Sequence, residues 1–303
     1  MPIEPPASLT RYLHERRCVL FAGAGLSAWG KLPSWRTLLE RMAARLHEEH
    51  PSRDYLQKLT SLISQGKLLE VADYCKGALE KNQYYDVLTN ELKWNDQDIP
   101  EPHKIIVNLP FSAVVTTNYD KLLETAYIRL GRGFPRTLTH ADTPNLGLLL
   151  FRNEFFILKA HGDIDRIDSI VLANEDYRKI IHSNPAFNEV FSALLLTKAL
   201  LIVGYSISDP DFRLLVERHF TTFNGSVPER YALLSNVSEI EGDVLLRTAG
   251  IRVIRYEHHE EVLEFLKALE TSVVEFAFGG PTILDASTDE EQKRKASLEG
   301  RLP

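Results

Sequence analysis

His161 is the residue best suited to move a proton. It follows the apolar run Phe156-Ile157-Leu158-Lys159-Ala160 and is flanked by Gly162 and Asp163. An imidazole titrates near neutrality, so it can take a proton from a hydroxyl or a water. The chain has ten histidines; the place of this one after a buried-strand run marks it out, and a core or loop histidine with no chemical role is the alternative. Asn118 and Asp120 close a second pattern, Ala113-Val114-Val115-Thr116-Thr117-Asn118-Tyr119-Asp120. An Asn amide can hold a water or a ribose hydroxyl through both its oxygen and its nitrogen. Asp120 can act beside it or cap the helix that follows. A third pattern, Cys18-Val19-Leu20-Phe21-Ala22-Gly23-Ala24-Gly25-Leu26-Ser27, ends in Gly-x-Gly. Such a loop can bring backbone N–H groups against a phosphate, because glycine adds no side chain to hold it off. Two glycines alone also fit an ordinary tight turn. A fourth pattern, Leu200-Leu201-Ile202-Val203-Gly204-Tyr205-Ser206, repeats the form.

Each of these groups stands directly after an apolar run of buried-strand length, so strands must position them. In an open α/β sheet the ligand lies outside the carboxyl ends of the strands, and four polar strand ends would meet in one crevice. Alternating strand and helix patterns predict a doubly wound, mostly parallel, Rossmann-like α/β fold. The expected strands are 113–116, 155–159, 170–172, 199–203, 231–234 and 251–255, besides the first; residues 134–153 show no clear pattern. Helices are expected over 119–130, with Leu122, Leu123, Ala126 and Leu130 inward, and over 174–181, 186–197, 209–220, 238–248 and 260–276. From about Pro51 to Trp94 only helical periodicity appears. It places an all-helical insertion at 51–99 inside an α/β domain made of 1–50 and 100–280, followed by a charged tail at 281–303 expected to be disordered. Ser34 reads as an N-cap, and Trp29 and Trp35 either cover the crevice or pack the loop to the core. Asp209-Pro210-Asp211 reads as a helix start, and His258-His259-Glu260 as a surface turn rather than a metal cluster.

In this order and spacing the motifs resemble those of the sirtuin family, across roughly residues 15 to 270. Gly23-Ala24-Gly25-Leu26-Ser27 is similar to its Gly-Ala-Gly-x-Ser loop, and Thr117-Asn118-Tyr119-Asp120 to its Gln-Asn-Ile-Asp. His161-Gly162 is similar to its catalytic His-Gly, Gly204-Tyr205-Ser206 to its Gly-Thr-Ser, and Ser235-Asn236 to its late nucleotide-binding Asn. The resemblance implies NAD+ as the substrate. It makes His161, Asn118 and Asp120 the catalytic residues and Gly23, Ala24, Gly25, Ser27, Thr117, Gly204, Ser206 and Asn236 the nucleotide-binding ones. The cysteine pairs of the sirtuin zinc site are absent, so no metal is expected. With Thr117 in place of Gln and the helical insertion, the match points to the bacterial antiphage-defence branch. The implied activity is NAD+ hydrolysis to nicotinamide and ADP-ribose. The implied partners are further copies of the chain and a separately encoded sensor or activator, such as a HerA-like ATPase or an Argonaute-type protein. A protein deacylase and a non-catalytic NAD+ or ADP-ribose sensor are the competing readings.

Composition limits the alternatives. The 303 residues are 44% hydrophobic and 25% charged, as in an ordinary globular protein. The net charge of −7 argues against direct nucleic-acid binding. Two cysteines cannot build a disulfide framework. Apolar runs fall short of a membrane span, and no basic start followed by an apolar core is seen at Met1-Pro2-Ile3, so a cytoplasmic location is expected.

Overall fold

The computed structural model describes residues 3–277 except 52, 184, 206, 208 and 209. The tail expected at 281–303, Ser206 and Asp209 lie outside the described residues.

Seven strands form one parallel sheet: β1 Cys18–Ala22, β2 Ala113–Thr116, β3 Arg136–Thr139, β4 Phe156–Lys159, β5 Ala199–Val203, β6 Arg230–Ser235 and β7 Ile251–Tyr256. Their order is β3-β4-β2-β1-β5-β6-β7. Every residue of β1, β2, β4 and β5 is buried, which is why these strands read as apolar runs, broken only by Thr116 and Lys159 at the ends of β2 and β4. In β1, Cys18, Leu20 and Ala22 face one core cluster while Val19 and Phe21 face the other. The chain leaves β1 towards β2 on one side and returns to β5 on the other, so the topological switch lies between β1 and β5.

The first helices are α1 Ala7–His14, the short α2 Ala24–Ser27, and α3 Trp35–Glu49. Ser34 does cap α3, its Oγ accepting the Thr37 N–H at 3.1 Å. Between β1 and β2 follow α4 Tyr55–Ser64, α5 Leu68–Ala78, α6 Lys81–Leu92 and α7 Glu101–Asn108. Helices α3 to α6 share a third apolar cluster, with Leu39, Met42, Val71, Cys75 and Leu88 at its centre. The remaining helices are α8 Leu122–Arg129, α9 Thr143–Arg152, α10 Asn174–Ser183, α11 Pro185–Thr197, α12 Pro210–Thr222, α13 Glu239–Ala249 and α14 His259–Ala277. No described helix is long and apolar enough to cross a membrane.

Three expectations change. Residues 134–153 hold the edge strand β3 and helix α9; β3 is only partly buried, so it lacks the apolar run that marks the central strands. Ile170-Val171-Leu172 is not a strand but a buried connection that packs into the two apolar clusters beside it. Leu130 is 38% exposed, because α8 ends at Arg129 and Leu130 has left its inward face.

Candidate active site

The sheet register sets the site. Ala22 pairs with Thr116 on one side and Val203 on the other, and Thr116 pairs with Lys159. The strands that carry the four motifs are therefore neighbours, β4-β2-β1-β5, and end level with one another. Gly23, Thr117, Ala160 and Gly204 are the next residues in each, at the carboxyl edge astride the switch.

The glycine loop is shaped by a backbone-to-backbone contact. Gly23 N–H donates to the Val203 carbonyl at 3.0 Å and Gly25 N–H to the Gly204 carbonyl at 2.8 Å. A Cβ on Gly23 would lie 2.5 Å from Gly204 O, and one on Gly204, whose φ is +68°, 2.2 Å from Leu26 N. The glycines thus let the loops after β1 and β5 touch, and these two N–H groups are engaged by the protein. Ala24 opens α2, and Ser27 ends it, buried.

Asn118, Ser27 and Asp120 form a buried chain. Asn118 Nδ2 donates to the Gly23 carbonyl at 2.9 Å and to Ser27 Oγ at 2.8 Å. Because a carbonyl only accepts, this fixes which end of the amide is nitrogen. Ser27 Oγ–H in turn donates to Asp120 Oδ2 at 2.8 Å, while Asp120 Oδ1 accepts the Leu122 N–H at 2.9 Å at the start of α8. Asn118 Oδ1 is buried and has no hydrogen-bond partner among the described residues. Such an orphaned acceptor calls for a donor from outside the protein. Burial pushes the Asp120 carboxyl up, opposed by the charge of Lys159 and the hydrogen bonds from Leu122 and Ser27. Thr117 is half-buried, its N–H on the Ala22 carbonyl at 3.3 Å.

His161 lies two residues past the Thr116–Lys159 pair, as Asn118 does on the adjacent strand. Its ring stands edge-on to Tyr177 of α10, centroids 5.3 Å apart at 81°. Its carbonyl accepts the Val171 N–H at 2.9 Å. Gly162, with φ +93°, lets the chain turn where a Cβ would meet Ser169 O at 2.2 Å. The Ser169 carbonyl also accepts from His140 Nε2 at 2.8 Å, and Ser169 Oγ takes the Asp163 N–H at 3.0 Å. Burial lowers the proton affinity of His140. Asn236, directly after β6, is exposed in a left-handed conformation with φ +56°. The structure thus brings Ser27, Asn118 and Asp120 into contact, places Thr117, His161 and Gly204 at the same level of the sheet edge, and sets Asn236 at the end of β6.

The sequence reading passed over Lys159, Glu124 and His140. Lys159 is fully buried at the end of β4. Its signal was present: a lysine closing an apolar run two residues before His161. Helix α12 starts at Pro210, as a Pro at the first position requires. His259 packs between Tyr256 and the edge of Trp29, centroids 5.9 and 6.2 Å away. Among the described residues no group of three or more His, Cys, Asp or Glu could hold a metal ion.

Comparison with known proteins agrees with this fold. Residues 112–254 match the model of the SIR2-like domain. The chain is 27% identical over 252 residues to an NAD(+) hydrolase ThsA of Cytobacillus dafuensis, covering 83% of this chain and 48% of that protein. It is 25% identical over 281 residues to the ThsA of Bacillus cereus, covering 87% and 56%. A defense-associated sirtuin 2 of Bacillus subtilis is 22% identical over 257 residues, 83% of this chain and 24% of that protein. The chain spans about half the length of these two hydrolases. Its doubly wound parallel sheet is of the sirtuin type, and residues 112–254 carry the likeness to the SIR2-like domain.

Proposed function

We propose that the chain hydrolyses NAD+ at the nicotinamide N-glycosidic bond and serves in antiphage defence. The observation that carries the proposal is the orphaned Asn118 Oδ1, level with His161 at the carboxyl edge beside the β1/β5 switch. The names of the relatives, NAD(+) hydrolase and defense-associated sirtuin, support the same reading. NAD+ carries a cationic leaving group, so cleavage needs placement, stabilisation of an oxocarbenium-like ribose, and a nucleophile. Asn118 Oδ1 accepts a hydrogen bond from the attacking water or a ribose hydroxyl. The water oxygen bonds to the anomeric carbon, and the C–N electron pair leaves with neutral nicotinamide. His161 takes the proton released, and ADP-ribose is the second product. Gly23, Ala24, Gly25, Ser27, Thr117, Gly204, Ser206 and Asn236 are assigned to the nucleotide. Self-association, a cytoplasmic location and a separately encoded activator belong to the same proposal, since an enzyme that depletes NAD+ has to be restrained until infection.

The test is chromatography of NAD+ incubated with the purified chain, with and without acetylated peptide and beside His161→Ala. Nicotinamide and ADP-ribose formed without peptide, with the rate down about 100-fold or more in the variant, is the expected result. Turnover only with peptide would make the chain a deacylase. Binding of NAD+ without turnover, in cells co-expressing neighbouring genes as well as in vitro, would make it a sensor.

A further inference from the structure

Lys159 has no place in a simple core. Its side chain is fully buried, in a position where an apolar residue would continue β4. A buried ammonium is tolerated only when its hydrogens and its charge are matched. Here Nζ donates to the carbonyls of Tyr119 at 3.0 Å and Asp120 at 2.5 Å, and pairs with Glu124 at 3.1 Å and Asp163 at 3.3 Å. Two of the four partners are consecutive carbonyls of the segment that carries Asn118 and Asp120. Another, Asp163, follows His161 by two residues. One cation therefore ties together the two strand ends that hold the catalytic candidates.

The direction of the buried hydrogen-bond chain depends on charge. Asn118 has two amide hydrogens, and both are used only if Ser27 Oγ accepts one of them. Ser27 Oγ accepts from Asn118 and gives its own hydrogen to Asp120, an arrangement enforced when Asp120 is a carboxylate, whose oxygens only accept. An Asp120 protonated on Oδ2 instead donates to Ser27 and turns the hydroxyl hydrogen back towards Asn118. The charged groups that act on Asp120 are Lys159 from the end of β4 and Glu124 on α8, and Lys121, Asp163 and Asp165 join them in one network of ion pairs. Lys159 is the largest influence favouring its ionised form, and Glu124 acts the other way.

We propose that Lys159 is a positioning residue whose charge, held on the Asp120 backbone carbonyl, secures the direction of the chain from Asn118 through Ser27 to Asp120 and so reinforces the amide orientation that the Gly23 carbonyl sets. The activity readout of this inference rests on the proposed NAD+ hydrolysis; the structural readout does not.

The test compares the wild-type chain with Lys159→Met, Glu124→Gln, Asp120→Asn and the double variant Lys159→Met/Asp120→Asn between about pH 5 and pH 9. In Lys159→Met the acid limb of kcat is expected to move up by about one pH unit or more, with a loss of about tenfold or more at pH 6, partial recovery at high pH and little change in KM. In Glu124→Gln the limb moves down, so the proposal stays testable if Lys159→Met does not fold. The double variant is expected to be no slower than Asp120→Asn alone, because Lys159 acts through Asp120. Independently of turnover, the C=O stretch of a protonated carboxyl, identified by its absence in Asp120→Asn, is expected in infrared difference spectra at higher pH in Lys159→Met than in wild type. A uniform loss of kcat with no movement of either limb, additive losses in the double variant, or a carboxyl band appearing at the same pH in both proteins would overturn the assignment. Should the wild-type chain hydrolyse no NAD+, that failure belongs to the proposed function, and the infrared titration still decides the role of Lys159.

Discussion

Gly204 and Gly133 both have positive φ, +68° and +91°, but only Gly204 is crowded. Its Cβ position falls 2.2 Å from Leu26 N, whereas nothing lies within 4 Å of that of Gly133. Gly133→Ala should cost only the left-handed backbone strain, about 1 kcal/mol, and Gly204→Ala about 3 kcal/mol or more, because the loops after β1 and β5 must separate. Thermal unfolding of the two variants measures the difference; equal losses would mean that the contact between the loops carries no stability. The same pair shows how far a sequence can be read at this level. That residues 23, 25 and 204 are glycines near a site is visible in the motif. That they serve one another's backbones first is not, because it depends on β5 returning beside β1. The Asn118–Ser27–Asp120 chain was hidden for the same reason, since Ser27 and Asn118 come from different strand ends.

The helical layer of α3 to α6 does more than fill the connection between β1 and β2. Its apolar cluster takes in Ile170, Leu172 and Ala173, with Tyr119, Ile164 and Ile167 packed against it. Those residues belong to the segments that follow Asn118 and His161. Asp73 on α5 accepts from the Asn174 backbone and side chain at 2.8 and 2.6 Å, and Lys76 pairs with Asp176. The layer therefore braces the segment that returns from His161 to α10. Leu88→Ala, a truncation at a fully buried position on α6, should cost about 3 kcal/mol and also lower the rate of the proposed NAD+ cleavage, although Leu88 lies in the helical layer. Urea unfolding and kcat read the two effects; a stability loss with an unchanged rate would show that the layer and the site are uncoupled. Periodicity announced these helices because each has one buried stripe. It gave no hint of the surface they cover. Ile170-Val171-Leu172 looks like a strand in the sequence for the reason that makes it bury as a connection: three apolar residues must leave water, and the helical layer takes two of them.

Across the whole molecule the acid side of the stability curve is set in part by His103. It is fully buried on α7, and neither ring nitrogen has a hydrogen-bond partner among the described residues. Burial pushes its proton affinity down, from 6.5 to about 3. The unfolded chain thus binds a proton that the folded chain refuses. The stability is fully present above pH 6.5 and is lost as the pH falls towards 3, amounting to about 2 kcal/mol by about pH 5. His103→Leu should remove this dependence, and urea midpoints of both proteins at about pH 7.5 and pH 5 test it; parallel losses would assign the acid sensitivity elsewhere.

The pairing of Cys18 with Ala199 places the first strand of the sheet beside one made much later. During synthesis the N-terminal strand emerges, the helices of its long connection follow, and β2, β3 and β4 can then assemble against it. Its other edge waits for β5. Until then Gly23 and Gly25 lack the carbonyls of Val203 and Gly204, the left-handed turn at Gly204 does not exist, and the loop that carries Ser27 has no wall to rest on. The crevice is therefore completed late by construction, and a ribosome-bound chain that has not yet made β5 carries only an open half of it.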